Sequence, residues 1–346
     1  MQVTDKKVLR KRVNKVCRGV LFYLLIGFVV VTLDFLIRNI DLILQDINGE
    51  VTDAVFFACF DKYAEDGWSS ILSVLIGILF LTVYFPHRQS FCADKNPSIA
   101  ITSNHHMFRN FLLNLNTHQK RTPRAKMTLP DFVKYLCVFM STQLIFTFVA
   151  IIVERGLNLF GYTNASDIAA ATDTSMTFSM FLYASIIGPI TEEIVYRGFA
   201  MKSLEQFGKE FAILFSSILF GIMHGNLCQS LFACSTGIVL GHVAMEYSIK
   251  WSILLHLINN CVFGDLLDYM LLSVPELIQD IIVYGILILF FLASTVILWK
   301  GRERIKKYHE ENRADGKLYK YAFTSCWFIL FTMLQVMSMF SGIQKI

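Results

Sequence analysis

Two adjacent carboxylates and a guanidinium, Glu192, Glu193 and Arg197, stand at the end of an apolar run from Met176 to Ile190. A charge at the centre of a membrane helix costs at least ~2.5–3.5 kcal/mol on insertion scales, so this cluster calls for partners and a task. Glu193 and Arg197 are four residues apart; on a helix they share one face and can neutralise each other. Glu192 points roughly 100° away and is left for something else. Two histidines lie in comparably apolar stretches further on: His224, four residues after Phe220, and His256, four residues before Asn260.

Hydrolysis of a peptide bond needs a base to activate water and donors aimed at the developing oxyanion. Glu192 could take the proton, assisted by His224, a form of help typically worth about 10²–10⁴-fold. His256 and the amide of Asn260, one turn apart on the same helical face, could supply the oxyanion donors. That route uses no cofactor. A second assignment uses the same residues as zinc ligands, Glu192, His224 and His256 leaving a fourth position for water. A helix-borne His-Glu-x-x-His is absent, and the spacing leaves both assignments open.

The elements that must hold these side chains are membrane helices. With 346 residues, 55 % of them hydrophobic, 31 phenylalanines and a mean hydropathy of +0.52, the chain carries too much apolar surface for a soluble globule. No pair among the eight cysteines has Cys-x-x-Cys spacing, so neither a zinc knuckle nor a disulfide framework is expected. A basic N-terminus (Lys6 to Arg18) precedes an apolar run from Gly19 to Ile37, which reads as an uncleaved first span entered from the cytoplasm. Further spans are expected over Trp68–Phe85, Asp131–Val153, Met176–Tyr196, Phe211–His224, Gln229–Tyr247, Trp251–Leu267, Glu276–Trp299 and Tyr321–Phe340.

The expected fold is therefore an all-α polytopic membrane protein of about nine helices, multi-pass in a cell membrane. Basic loops, His87–Pro130 and Lys300–Lys320 above all, fall on one side, and acidic segments such as Asp41–Gly67 on the other. His87, His105, His106 and His118 lack acidic or thiol partners at ligand spacing and read as solvated loop residues. The organisation expected is an N-terminal hairpin with its basic loop (1–130), a core (131–300) with the polar cluster inside 185–262, and a basic loop with a last helix (301–346). Gly188-Pro189 should loosen the helix just before Glu192. The pairs Gly221-x-x-x-Gly225 and Gly237-x-x-x-Gly241 should let helix backbones approach closely. His242 matches no part of the pattern and reads as a packing residue.

Glu192-Glu193-x-x-x-Arg197, Phe220-x-x-x-His224 and His256-x-x-x-Asn260, in that order and each on a membrane helix, resemble the three motifs of the CAAX-protease and bacteriocin-processing (CPBP, or Abi) family of intramembrane proteases. That family includes the type II CAAX prenyl endopeptidases. The resemblance covers roughly Ser185 to Val262 and no motif position departs from it. It implies an endopeptidase that cuts a membrane-borne or lipidated peptide or protein near the cytoplasmic side, with membrane lipid as its other partner and no nucleic acid. By carry-over Glu192 and His224 activate water, His256 and Asn260 stabilise the oxyanion, and Glu193 and Arg197 support the helix. The family's older label is metalloprotease; the glutamate mechanism fits these residue types without metal.

Two other classes share these features. A transporter also keeps carboxylates and histidines at mid-membrane on broken helices, although no inverted repeat is visible here. A non-catalytic membrane partner, such as a bacteriocin self-immunity factor or a sensor-kinase regulator, could keep fold and motifs and work by helix contacts.

Overall fold

The computed structural model describes residues 3–48, 51–84, 125–172, 175 and 177–346. The expected basic loop His87–Pro130 lies almost entirely outside the described residues, as do its four histidines. What is described is almost wholly helical, with one two-residue strand pair, Tyr162–Thr163 against Gln344–Lys345. Five helices among the described residues are long and apolar enough to cross a bilayer: Lys6–Arg38, Leu129–Asn158, Phe178–Phe207, Leu227–Glu246 and Glu276–Asn312. A sixth span results if Gly316–Phe323 and Cys326–Ser341, bent by 68° at their junction, count as one. The chain is a multi-pass membrane protein. The expected spans near Trp68, Phe211 and Trp251 are helical too, but the first two are only 17 and 14 residues long, Trp68–Tyr84 and Lys209–Ile222.

The stretch expected as a basic loop, Lys300–Lys320, differs from that expectation. The helix that starts at Glu276 continues to Asn312, and a second begins at Gly316. Residues 302–312 contain neither proline nor glycine, and Lys306–Glu310 and Lys307–Glu311 form i,i+4 pairs on the exposed surface. Such pairs let the helix run on into water after its apolar part ends.

The core of the bundle is the antiparallel pair Lys209–Ile222 and Leu227–Glu246, which pack along their whole length. A Cβ added at Gly221 would stand 2.5 Å from the Ser230 carbonyl oxygen and 2.9 Å from Cys234 Cβ. One at Gly237 would meet Ser217 Cβ at 3.1 Å. These glycines thus do what their spacing predicts: they remove the side chain where two backbones meet. Around this pair lie the helix Phe178–Phe207 and the helical stretch 249–271, with Val3–Arg38 and Trp68–Tyr84 on the outer flank.

The two ends of the bundle are tied separately. At one end Lys209 Nζ bonds Glu246 at 2.7 Å, Tyr308 donates to the same carboxylate, Glu210 accepts from the Ala314 N–H, and Arg10 reaches Thr324. At the other end Ser179 donates to Asp66, Thr177 to the Glu65 carbonyl, and the Ser175 N–H to Asp265.

Candidate active site

The helix that carries the two carboxylates starts at Phe178, where the Thr177 side chain accepts the Met180 N–H as an N-cap. It does not keep α-register. Leu182–Ile187 and Ile194–Met201 are π-helical, on either side of a short α-helical piece, Gly188–Glu193. The loosening expected at Gly188-Pro189 takes this form, and the cause is local. The Gly188 N–H bonds to the Tyr183 carbonyl, five residues back, and Pro189 has no N–H to offer. The Ala184 carbonyl is therefore without a helical donor in either register. Asn260 supplies one, its Nδ2 lying 3.0 Å from the Ala184 oxygen.

Glu193 and Arg197 form the pair that their spacing predicts, with Arg197 Nε 3.4 Å from Glu193 Oε2 and both side chains 0 % exposed. Arg197 also donates to the Gly237 carbonyl at 3.3 Å, and its guanidinium lies 4.6 Å from the centroid of the Phe220 ring. A second contact of Glu193 has no sequence signal: its Oε1 lies 3.3 Å from His256 Nδ1. The other ring nitrogen, Nε2, is 3.7 Å from Glu192 Oε2. One imidazole thus bridges both carboxylates of the first motif. The Glu192 side chain is 24 % exposed where that of Glu193 is sealed, so of the two only Glu192 can meet water.

His224 closes the helix Lys209–Ile222 at its far end, in a turn that needs the positive φ of Gly225. Its Nδ1 lies 2.8 Å from the Phe220 carbonyl oxygen. A carbonyl can only accept, so Nδ1 holds the proton and Nε2 of the neutral ring is left as a base. Phe220 stands between the two histidines, its centroid 5.1 Å from His224 and 5.9 Å from His256, and edge-on to both. Four of the expected residues, Glu192, Glu193, Arg197 and His256, are thus in direct contact, and His224 joins them across one phenyl ring.

Asn260 sits differently. One amide hydrogen is committed to Ala184, and its Oδ1 accepts from Asn259 Nδ2 at 2.8 Å, which leaves one amide hydrogen uncommitted. Asn259 is in turn held by Gln143 Nε2 at 2.8 Å. Ser185, whose hydroxyl bonds Asp265 and the Asn260 carbonyl, ties the same two helices together one residue further on. Gln143, Asn259, Ser185 and Asp265 were not among the sequence-derived candidates. Their only signal is polarity inside apolar runs, and that signal does not say which residues meet.

His242, expected as a packing residue, sits away from this cluster with Nε2 3.1 Å from Tyr135 Oη and its ring against Tyr308. Among the described residues no three His, Cys, Asp or Glu side chains gather as a group able to hold a metal ion. A cavity of about 450 Å³ opens on His224, its other walls including Asp167, Asn226, Gln229, Ser338 and Gln344.

Residues 174–262 match the family model described as type II CAAX prenyl endopeptidase Rce1-like. No curated protein and no solved structure matches the chain.

Proposed function

We infer that this protein is an intramembrane endopeptidase acting on a membrane-associated or lipidated peptide, from the match of residues 174–262 to the family model of Rce1-like type II CAAX prenyl endopeptidases. The observation that carries the residue-level reading is the His256 ring lying between Glu192 and Glu193, with one carboxylate sealed in an ion pair and the other open to water. That asymmetry separates a scaffold from a reagent.

In the proposed reaction Glu192 accepts a proton from water as the water oxygen bonds to the peptide carbonyl carbon. His224 Nε2, the unprotonated nitrogen, accepts a hydrogen bond from the same water and orients it. The developing oxyanion is met by the uncommitted amide hydrogen of Asn260 and by an N–H of His256. Collapse of the tetrahedral intermediate breaks the C–N bond, and the proton held by Glu192 passes to the leaving nitrogen. Glu193 and Arg197 do not touch substrate in this scheme; they fix the His256 ring and the helix. The route draws on no metal, and the cell membrane is its proposed location.

The test uses purified protein in lipid nanodiscs with an acylated, internally quenched peptide. Glu192→Gln and His224→Ala should each lower kcat by about 10²–10⁴-fold while the thermal midpoint stays near that of the wild type. Full turnover in either folded variant would remove the proposed base. Turnover that survives chelation supports the metal-free route; turnover lost on chelation and restored by zinc refutes it.

A further inference from the structure

The cavity beside His224 lies at the end of the bundle away from Lys209, Glu246 and the helical extension to Asn312. Its walls come from three distant stretches, Ser166–Asp167, His224–Gln229 and Ser338–Gln344, and every lining side chain is polar or glycine. Two of these stretches fall outside residues 174–262, so most of this wall lies outside the region matched to the family.

The wall is built, not frayed. Gln344–Lys345 pairs antiparallel with Tyr162–Thr163, and the Ile346 N–H donates to the Gly161 carbonyl at 3.0 Å. Buried Asn226 donates from Nδ2 to the Asp167 carbonyl at 2.6 Å and accepts the Gln229 N–H at 3.1 Å. Glu154 accepts from the Thr163 hydroxyl and the Asn164 N–H. Among the described residues Asp167 Oδ2 has no hydrogen-bond partner, and it is shielded from solvent. It presses on Gly342, where an added Cβ would overlap the carboxylate.

A carboxylate in the wall of a polar cavity attracts N–H donors and positive charge and disfavours another carboxylate. The cavity opens on His224, which orients the attacking water in the proposed reaction, and its lining offers hydrogen-bonding groups. We propose that it is the subsite for the polar flank of the peptide substrate, with Asp167 selecting for a lysine, arginine or amide side chain and against an acidic one. This rests on the proteolytic reading of His224. It also brings the peptide's polar part in from the end carrying Glu65, Asp66 and Asp265, whereas the family resemblance led to the expectation of a cut near the cytoplasmic face. The lipid anchor would remain in the bilayer.

The experiment compares acylated, quenched peptides that differ at one flanking position, Lys, Gln or Glu, placed in turn at three residues on each side of the bond cut. In nanodiscs kcat/KM should follow Lys > Gln > Glu at one of these positions, with about a tenfold span. Asp167→Asn should shrink the Lys/Glu ratio toward one, and Asp167→Lys should invert it. Gly342→Ala keeps the charge but crowds the carboxylate, and should weaken the same preference through KM. Equal ratios in wild type and Asp167→Lys would overturn the assignment. If the wild type cuts no peptide at all, the proteolytic reading falls. Photo-cross-linking of benzophenone forms of the same peptides to Glu192→Gln then reads the subsite alone. Label on residues 338–344, stronger for Lys than Glu, supports it, and label elsewhere refutes it.

Discussion

At the scale of single residues, the division of labour between two neighbouring carboxylates follows from burial. Glu193 is sealed with Arg197 and the His256 ring, and removing one member of a buried pair leaves an uncompensated charge, at a cost of about 3–5 kcal/mol. Arg197→Met should therefore lower the thermal midpoint steeply or abolish expression, whereas Glu192→Gln should do neither. A variant at 197 as stable as wild type would dissolve the pairing. Asn260→Asp replaces the donor facing both the Ala184 carbonyl and the proposed oxyanion by a group that only accepts. The expected outcome is a loss of about 10²–10³ in kcat, read by single-turnover kinetics. The Glu193–Arg197 pair was legible from its four-residue spacing. The bond from Glu193 to His256 was not, because it joins positions 63 apart through a helix crossing that no local pattern encodes.

At the scale of elements, the helix Phe178–Phe207 trades backbone regularity for a cross-link. Gly188-Pro189 announces a disturbance in the sequence, but the register it takes depends on where a neighbouring donor happens to be. Asn260 is that donor, so the proline and the asparagine should be coupled. In a double-mutant cycle, Asn260→Ala should cost about 1 kcal/mol less in a Pro189→Ala background, where the residue at 189 regains an N–H for the Ala184 or Ser185 carbonyl. Chemical denaturation in mild detergent measures this. Strict additivity would mean that the Ala184 carbonyl finds its partner elsewhere. The glycine spacing was legible only in part: Gly221 and Gly237 predicted close backbones, but not that Ser230 and Ser217 are what they approach, and Gly225 serves a positive-φ turn beside Ser338 instead of a helix contact.

At the scale of the molecule, hydrophobic runs located the long apolar helices, while the short helices in polar stretches, such as Asp53–Ala64 and Ala165–Thr172, and the continuation of Glu276–Asn312 into water depended on pairings that composition does not count. The N-terminal hairpin is joined to the site-bearing helix through Asp66, which accepts from Ser179 and lies 3.0 Å from Arg38. Desolvation works to raise the Asp66 pKa, but the Ser179 hydroxyl, the Trp68 N–H and Arg38 together hold it below the usual carboxylate value. A depressed native pKa contributes stability above the unfolded value, near 4, that is lost as pH falls through the native one. Asp66→Asn should thus lower the thermal midpoint at pH 7 and lower it progressively less as pH falls below about 4. A shift that stays equal across that range would exclude the ionic contribution.

The brevity of two outer helices carries a last consequence. Cys326–Ser341 and Trp68–Tyr84, at 16 and 17 residues, rise only about 24–26 Å, against a hydrocarbon slab of roughly 30 Å. Lipid beside them must compress, so this protein should work best among short acyl chains and slow in thick, sterol-stiffened leaflets. Chain length of the surrounding lipid would then act as a dial on turnover, with no ligand involved.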